Sequence, residues 1–315
     1  MRWRSFPLPL LLFSFLTLLV GRAAVSGFRI CSYNVQKFNT MKAKNYRLIH
    51  TLTRIVSRCD ICLLQDVFDP KGEAIKILLS SLNRGTDRYE HYSYRSVASE
   101  ALGKSKEDMQ QYVFIYRMQT VNVTDKYQYK GNEYFDRDPF VVQFQSKNTP
   151  IEKFILVPLH TNATLAVKEI DRLYDVFEDV SKKWNNTNVM FLGDFHASCA
   201  YLTRQDKKNI RLFTDSNFSW LIGDRVDTTV TDKTSCAYDR IVVYGQPFLK
   251  AIRPFSARVY NFAKEFKLSK TRVLEVSDHF PVEVRLKSSA LLHQATPLLI
   301  LFSISAVIQS MFSAL

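Results

Sequence analysis

Apolar residues recur along this chain with two different periods. Residues 46–56 place Leu48, Ile49, Leu52, Ile55 and Val56 at helical spacing, and residues 73–82 repeat the pattern. Residues 165–184 carry the longest stripe: Ala166, Ile170, Leu173, Tyr174, Phe177, Val180 and Trp184. Between these helices lie short runs of strand character. Residues 28–35 alternate loosely. Residues 60–67 are apolar until Gln65 and Asp66, as in a strand buried on both faces. Residues 112–116, 121–129, 140–144, 154–159, 189–192, 240–244 and 282–286 read as further strands. Strands outnumber helices and the two alternate in places, which predicts an α/β fold with sheets packed together and helices outside.

Polar residues stand where these apolar strands stop. Asn34, Asp66, His160 and Asp194 follow strands, Asp239 opens one, and Asp278-His279 precedes one. At residues 188–199, "NVMFLGDFHASC", a buried run delivers Asp194 and then His196 to its tip. Any one of these is ordinarily a turn or cap residue bonding nearby backbone. Six such deliveries, rich in acid and imidazole, point instead to one site gathered at a sheet edge. Carboxylate and amide oxygens suit Mg²⁺ or Mn²⁺. Two histidines can act as general base and general acid, and Arg137 can grip a phosphate through its planar fork. There is no GxSxG element, glycine-rich phosphate loop or HExxH. The residues therefore favour metal-assisted phosphodiester hydrolysis over serine or cysteine chemistry.

The ends add a compartment. Arg2 and Arg4 precede an apolar run over residues 6–20 and then small residues, so residues 1–27 are expected to be a signal peptide. A membrane-spanning helix is the alternative. Residues 288–315 combine serines, a short spacer and the apolar sequence 298–315 with no Lys or Arg after it, as in a glycosylphosphatidylinositol-attachment signal; a plain hydrophobic span is the alternative. The protein is thus expected in the secretory pathway, outside the cell or anchored on its surface, with sequons at Asn122, Asn162, Asn185 and Asn217 open to glycosylation. The 315-residue chain carries a net charge of +13. Removing Arg2, Arg4 and Arg22 leaves about ten, which favours a polyanionic partner. Residues 28–287 suffice for one large domain, and no linker or repeat divides them. Of the five cysteines, Cys62 reads as a core residue, no paired CxxC suggests zinc, and Cys199 with Cys236 is the first choice for a single disulfide.

The segments "CSYNVQKF", "LLQDVFD", "PLHTNA", "LGDFHASC", "CAYDRIVV" and "VSDHFPVEVRL" together resemble the ordered motif set of the deoxyribonuclease I family, over residues 28–287. The resemblance implies a four-layer α/β sandwich, two packed and mainly antiparallel sheets flanked by helices. It implies a monomeric endonuclease that hydrolyses DNA with an activated water and a divalent metal. By motif, His279 is the general base oriented by Asp239, and His160 is the acid-side imidazole. Asp66, Asp194, Asp278 and Asn34 hold metal and phosphate, and Arg137 contacts phosphate. Cys199–Cys236 matches the family's main disulfide, Asp227 and Thr229 a structural calcium site, and actin is a partner known in the family.

Several positions depart from that pattern. Asp66 stands where the family has Glu, a retraction of about 1.5 Å, against a tolerance of roughly 0.5 Å for catalytic groups. His196 replaces an Asn at a substrate position, and Phe68 stands where relatives carry a basic residue. In "SKEDMQQYVF", one residue longer than usual, Met109 and Gln110 fall where the family has Tyr and the Glu that partners the acid-side histidine; Glu107 or Asp108 substitutes only if the loop rearranges. Two expectations follow. One is an active endonuclease. The other is a catalytically impaired relative that binds DNA or a protein such as actin.

Overall fold

The computed structural model describes residues 27–86, 92–105, 108–131 and 134–289. The expected signal peptide and hydrophobic tail lie, but for their innermost residues, outside the described residues, as does Glu107. Among the described residues, no helix is long and apolar enough to cross a membrane.

Among the described residues, twelve strands form two six-stranded sheets. In chain order they are β1 (Arg29–Phe38), β2 (Ile61–Val67), β3 (Tyr94–Ala98), β4 (Gln111–Arg117), β5 (Asn122–Gln128), β6 (Phe140–Gln145), β7 (Lys153–Pro158), β8 (Val189–Asp194), β9 (Phe218–Trp220), β10 (Asp239–Tyr244), β11 (Arg258–Val259) and β12 (Val282–Arg285). The first sheet has the order β11-β12-β1-β2-β4-β3 and the second β5-β6-β7-β8-β10-β9. Each is antiparallel except for one parallel pair, β1 with β2 and β7 with β8.

The pleat sorts the core into layers. Ile30, Leu63, Met190, Leu192, Ile241 and Val284 face the space between the sheets. Their alternates Cys31, Cys62 and Leu64 pack under helices α1 (Thr40–Lys44), α2 (Tyr46–Val56) and α3 (Glu73–Thr86). Val189, Phe191 and Val242 pack under α4 (Ala166–Trp184). Strands covered on both faces have to be continuously apolar, which is why β2, β7 and β8 read that way. Helix α4 buries Ala166, Ile170, Leu173, Phe177 and Val180 from the predicted stripe and ends at Asn185 in the left-handed conformation. Residues Phe28–Ala290 form one compact unit.

Cys199 and Cys236 are bonded, and a second disulfide, Cys31–Cys59, corrects the expectation of only one. Sequence spacing obscured it. Cys31 lies opposite Cys62 in the β1–β2 register, yet its partner is Cys59, in the turn that follows α2, while Cys62 stays buried as a thiol. We expect removal of this bond, as Cys31→Ser with Cys59→Ser, to lower stability by about 3 kcal/mol. Urea unfolding would measure it. An unchanged midpoint would show that the bond only decorates an already rigid pairing.

Candidate active site

The site lies at one edge of both sheets, where the backbone leaves regular pairing. Register shifts occur between Asn34 and Phe38 on β1 and between Leu64 and Val67 on β2. Gln36, Lys37 and Asp66 take left-handed conformations there, at φ 45°, 51° and 60°. Bulges of this kind re-aim side chains at a sheet rim and hold local strain. Here hydrogen bonds pin them. Asp66 Oδ2 accepts from Lys37 N at 2.9 Å, and Asn34 Oδ1 accepts from Gln36 N at 3.0 Å. Lys42 Nζ, from α1, donates to the carbonyls of Val35, Gln36 and Val276.

Gln65 is fully buried between these bulges. Its Nε2 donates to Leu159 O at 2.7 Å and its Oε1 accepts from Asp194 N at 3.0 Å, so one amide joins the two sheets. A Cβ on Gly193 would sit 2.1 Å from Leu159 O and 2.5 Å from Gln65 Nε2, and its φ is 143°. Glycine alone permits that approach.

Asp194, at the end of β8, is the centre of the cluster. Its Oδ2 lies 3.0 Å from Asn34 Nδ2, 3.5 Å from His279 Nε2 and 3.7 Å from His160 Nε2. Its Oδ1 lies 3.2 Å from His196 N and 3.4 Å from His196 Nδ1. Burial pushes this carboxyl upward, but the neighbouring imidazoles, led by His196 and His279, and the Asn34 hydrogen bond hold it below the ordinary carboxylate range. Asp239 faces Asp194 in the β8–β10 register. Its Oδ2 lies 2.7 Å from His279 Nδ1. Ser277 Oγ accepts from His279 N at 3.0 Å and donates to Asn34 O at 2.6 Å, which fixes the imidazole to β1. Burial lowers the His279 pKa, yet the Asp239 and Asp194 carboxylates outweigh it and raise the value to about 10.

The second imidazole has a different environment. His160 Nδ1 lies 2.8 Å from Gln110 Oε1, and His160 N donates to Tyr112 Oη at 2.9 Å. Gln110 is positioned by backbone bonds with Leu102 in both directions, at 2.7 and 2.8 Å. Its Nε2 donates to Asp108 Oδ1 at 3.0 Å. A carboxylate only accepts, so the amide nitrogen faces Asp108 and the amide oxygen faces His160. The neutral imidazole therefore carries its hydrogen on Nδ1 and turns a bare Nε2 toward Asp194. Burial lowers the His160 pKa to about 3, opposed by Asp194 and reinforced by Arg137. Arg137 is itself buried; it pairs with Asp108, lies 3.4 Å from Asp136 Oδ2, and donates to His160 O at 3.4 Å.

His196 sits at φ 47° with its ring nearly parallel to that of His160, 6.1 Å away at 12°. Its Nδ1 lies 3.0 Å from Thr161 Oγ1, and Tyr201 and Tyr238 pack around it. Asp278 is half-buried and acts electrostatically on Lys42 and His279. It stays outside the group formed by Asp194, Asp239 and His279, whose ligand atoms lie within 4.8 Å of one another. Asp227 Oδ1 accepts from Thr229 N, Thr229 Oγ1 and Cys236 N, folding the loop that Cys199–Cys236 ties beside His196. Of the sequon asparagines, Asn122, Asn185 and Asn217 are exposed; Asn162 is half-buried and caps the turn Ala163–Leu165.

The site fits a hard divalent cation on one independent ground. Asp66 Oδ1 and Asp239 Oδ1 are buried and lack hydrogen-bond partners, and a cation is the partner such oxygens accept. Sequence reasoning named Gln110 and Asp108 but not the way Asp108 orients the Gln110 amide, and it missed the Gln65 amide, Ser277, Lys42 and Tyr112. Gln65 had a readable signal, a polar residue within a strand buried on both faces. Ser277, Lys42 and Tyr112 reach Asn34, Val276 and His160 across long sequence separations and had none.

Comparison with known proteins agrees with this geometry. Residues 31–279 match the Endonuclease/Exonuclease/phosphatase family. The chain is 42% identical to Deoxyribonuclease gamma of Rattus norvegicus over 281 residues, covering 88% of this chain and 90% of that protein. It is 44% identical to Deoxyribonuclease-1 of Mus musculus over 265 residues, covering 82% and 91%. The fold is similar to the human Nocturnin catalytic domain with bound sulfate, with a TM-score of 0.57 at 13% identity, covering 84% of this chain and 95% of that one.

The Asp239–His279 pair has a defined pH signature. Its folded pKa lies above the ordinary 6.5, so its charge adds stability that is complete below pH of about 6.5 and lost as pH rises through about 10. In Asp239→Asn, we expect the His279 titration in metal-free protein to move to lower pH and this pH dependence to shrink. Imidazole NMR titration would report it; an unmoved His279 pKa would deny the coupling.

Proposed function

This chain belongs to the deoxyribonuclease I family within the endonuclease/exonuclease/phosphatase superfamily, and on that premise we propose a divalent-metal-dependent endonuclease that hydrolyses DNA outside the cell or at its surface. The observation that carries the reading is the convergence on Asp194, where His279, His160 and Asn34 approach one carboxylate oxygen from β1, β7 and the start of β12. Basic composition supports a polyanionic substrate. Two disulfides support an oxidising compartment. A signal peptide over 1–27 and a lipid-anchor signal over 288–315 would supply the route and the attachment.

In this mechanism Asp239 accepts the Nδ1 hydrogen of His279, and Nε2 takes a proton from the attacking water once it has released the one that a pKa of about 10 keeps on it. Asp66, Asp194 and Asn34, with Asp278 beside them, would hold Mg²⁺ or Mn²⁺, and calcium would be held around Asp227 and Thr229. A bound cation supplies Lewis acidity toward the phosphate oxygens. Arg137 and His196 face the charge of the phosphate. The leaving oxygen needs a proton, and His160 is the group nearest that role. With an amide as its partner and a pKa pushed down to about 3, it must first gain the proton it would give. Weakened acid catalysis costs roughly 10²–10⁴ in rate.

That partner favours one second reading, a catalytically impaired relative that binds DNA or a protein such as actin. Plasmid nicking over Mg²⁺, Mn²⁺ and Ca²⁺ separates the two. We expect metal-dependent nicking that His279→Ala abolishes; salt-sensitive DNA binding with no nicking under any metal would favour the binding protein.

The acid side can also be tested directly. Gln110→Glu alone sets two carboxylates together, because Asp108 already contacts that side chain. Gln110→Glu combined with Asp108→Asn keeps one donor and one acceptor. We expect the double variant to nick about 10–100-fold faster than wild type and the single variant to gain less. Equal or lower rates in both would show that His160 is not the limiting group.

A further inference from the structure

Far from this site, the chain holds an aromatic side chain entirely in solvent. Phe255 is 104% exposed and takes a left-handed conformation at φ 56°, against the ordinary preference of a bulky residue. The loop bearing it is nevertheless firmly held. Arg253 N donates to Arg285 O at 2.8 Å, Ser256 Oγ bonds Arg253 O and Arg285 O, Arg285 N donates to Ser256 Oγ, and Lys287 N donates to Ala251 O at 2.8 Å. Phe255 is thus displayed by structure and not left loose.

Its surroundings are basic. Lys250, Arg253, Arg258, Arg285 and Lys287 flank it, and residues 245–258 and 284–289 contain no Asp or Glu. Glu283, which borders the second stretch, is buried and committed to Arg58 and Arg258. This face lies at the end of the domain opposite the active site: β10 runs from Asp239 toward it, and β12 runs toward it from the His279 side. From the same face the chain leaves β12 through Ser288-Ser289, with Ser289 bonded to Lys147 O and Asn148 O, and continues in sequence to the apolar segment 298–315.

We propose that this face docks on an anionic lipid bilayer, with Phe255 entering the interface and Lys250, Arg253 and Lys287 meeting the headgroup phosphates. An aromatic ring amid cations suits that boundary, where one end of the contact is apolar and the other charged. A duplex DNA segment would use the cations but leave the extended ring without a partner. Docking here turns the Asp194 cluster away from the membrane, toward soluble polymer. The inference rests on the surface-attached reading of the protein for its context, but its test is separate.

The test uses the whole purified chain, as wild type and as Phe255→Trp, with phosphatidylcholine vesicles containing or lacking phosphatidylserine and carrying brominated acyl chains. After subtraction of the native tryptophans, the introduced indole should be quenched on the serine-lipid vesicles. Adding Arg253→Glu and Lys287→Glu should cut the quenched fraction about tenfold. An unquenched indole on vesicles that retain the chain would overturn the proposal, since the tail alone would then explain attachment. Loss of duplex DNA binding in the charge-reversed variant, with quenching unchanged, would overturn it in favour of a nucleic-acid face. Release of the wild type from cells by a phosphatidylinositol-specific phospholipase reports separately on the lipid anchor, so failure of that attachment and failure of this face are told apart.

Discussion

One buried side-chain amide sets the relation between the two sheets at their functional edge. Gln65 gives its hydrogen to Leu159 O and takes one from Asp194 N, so the end of β2 is locked to the ends of β7 and β8. His160 follows Leu159, and Asp66 follows Gln65. The bond therefore fixes three site residues at once, and it exists only because Gly193 presents no side chain to the approaching oxygen and nitrogen. A buried amide without both partners would cost the desolvation of each group. The same interaction that positions the chemistry thus penalises any other register between the sheets.

Around that joint the charges are arranged unequally. His279 has a carboxylate directly on Nδ1 and a second facing Nε2, so it holds a proton tightly. His160 shares the second carboxylate but has an amide on Nδ1, oriented by Asp108. Asp108 is also committed to Arg137. One carboxylate therefore governs both the tautomer of an imidazole and the placement of a guanidinium. The two histidines are alike in burial, which lowers both; the carboxylates of Asp239 and Asp194 raise His279 well above it, whereas nearby Arg137 adds to the lowering at His160.

Much of this was legible beforehand. The helix over residues 46–56 and the strand over residues 61–67 appear where periodicity puts them. Asn34, His160, Asp194, Asp239 and His279 were marked by one local sign, a polar residue at the end of an apolar run, and the fold brings these together. Strand β3 and helix α1 were not found: both are short, and their stability comes from neighbours and not from their own pattern. The Cys31–Cys59 bond escaped because its geometry depends on the turn after α2, not on spacing.

The sequence by itself determined the layers and the inventory of chemistry. Apolar period decides which face of each element leaves water, and the motif residues can be read one by one. Tertiary structure alone decided partners and protonation. Whether Gln110 offers oxygen or nitrogen to His160 depends on Asp108, and the bulge that turns Asp66 depends on Lys37, a residue 29 positions away. Hydrogen bonds and charge interactions act over a few ångströms in space, and nothing in linear order records which groups the folded chain brings within that distance.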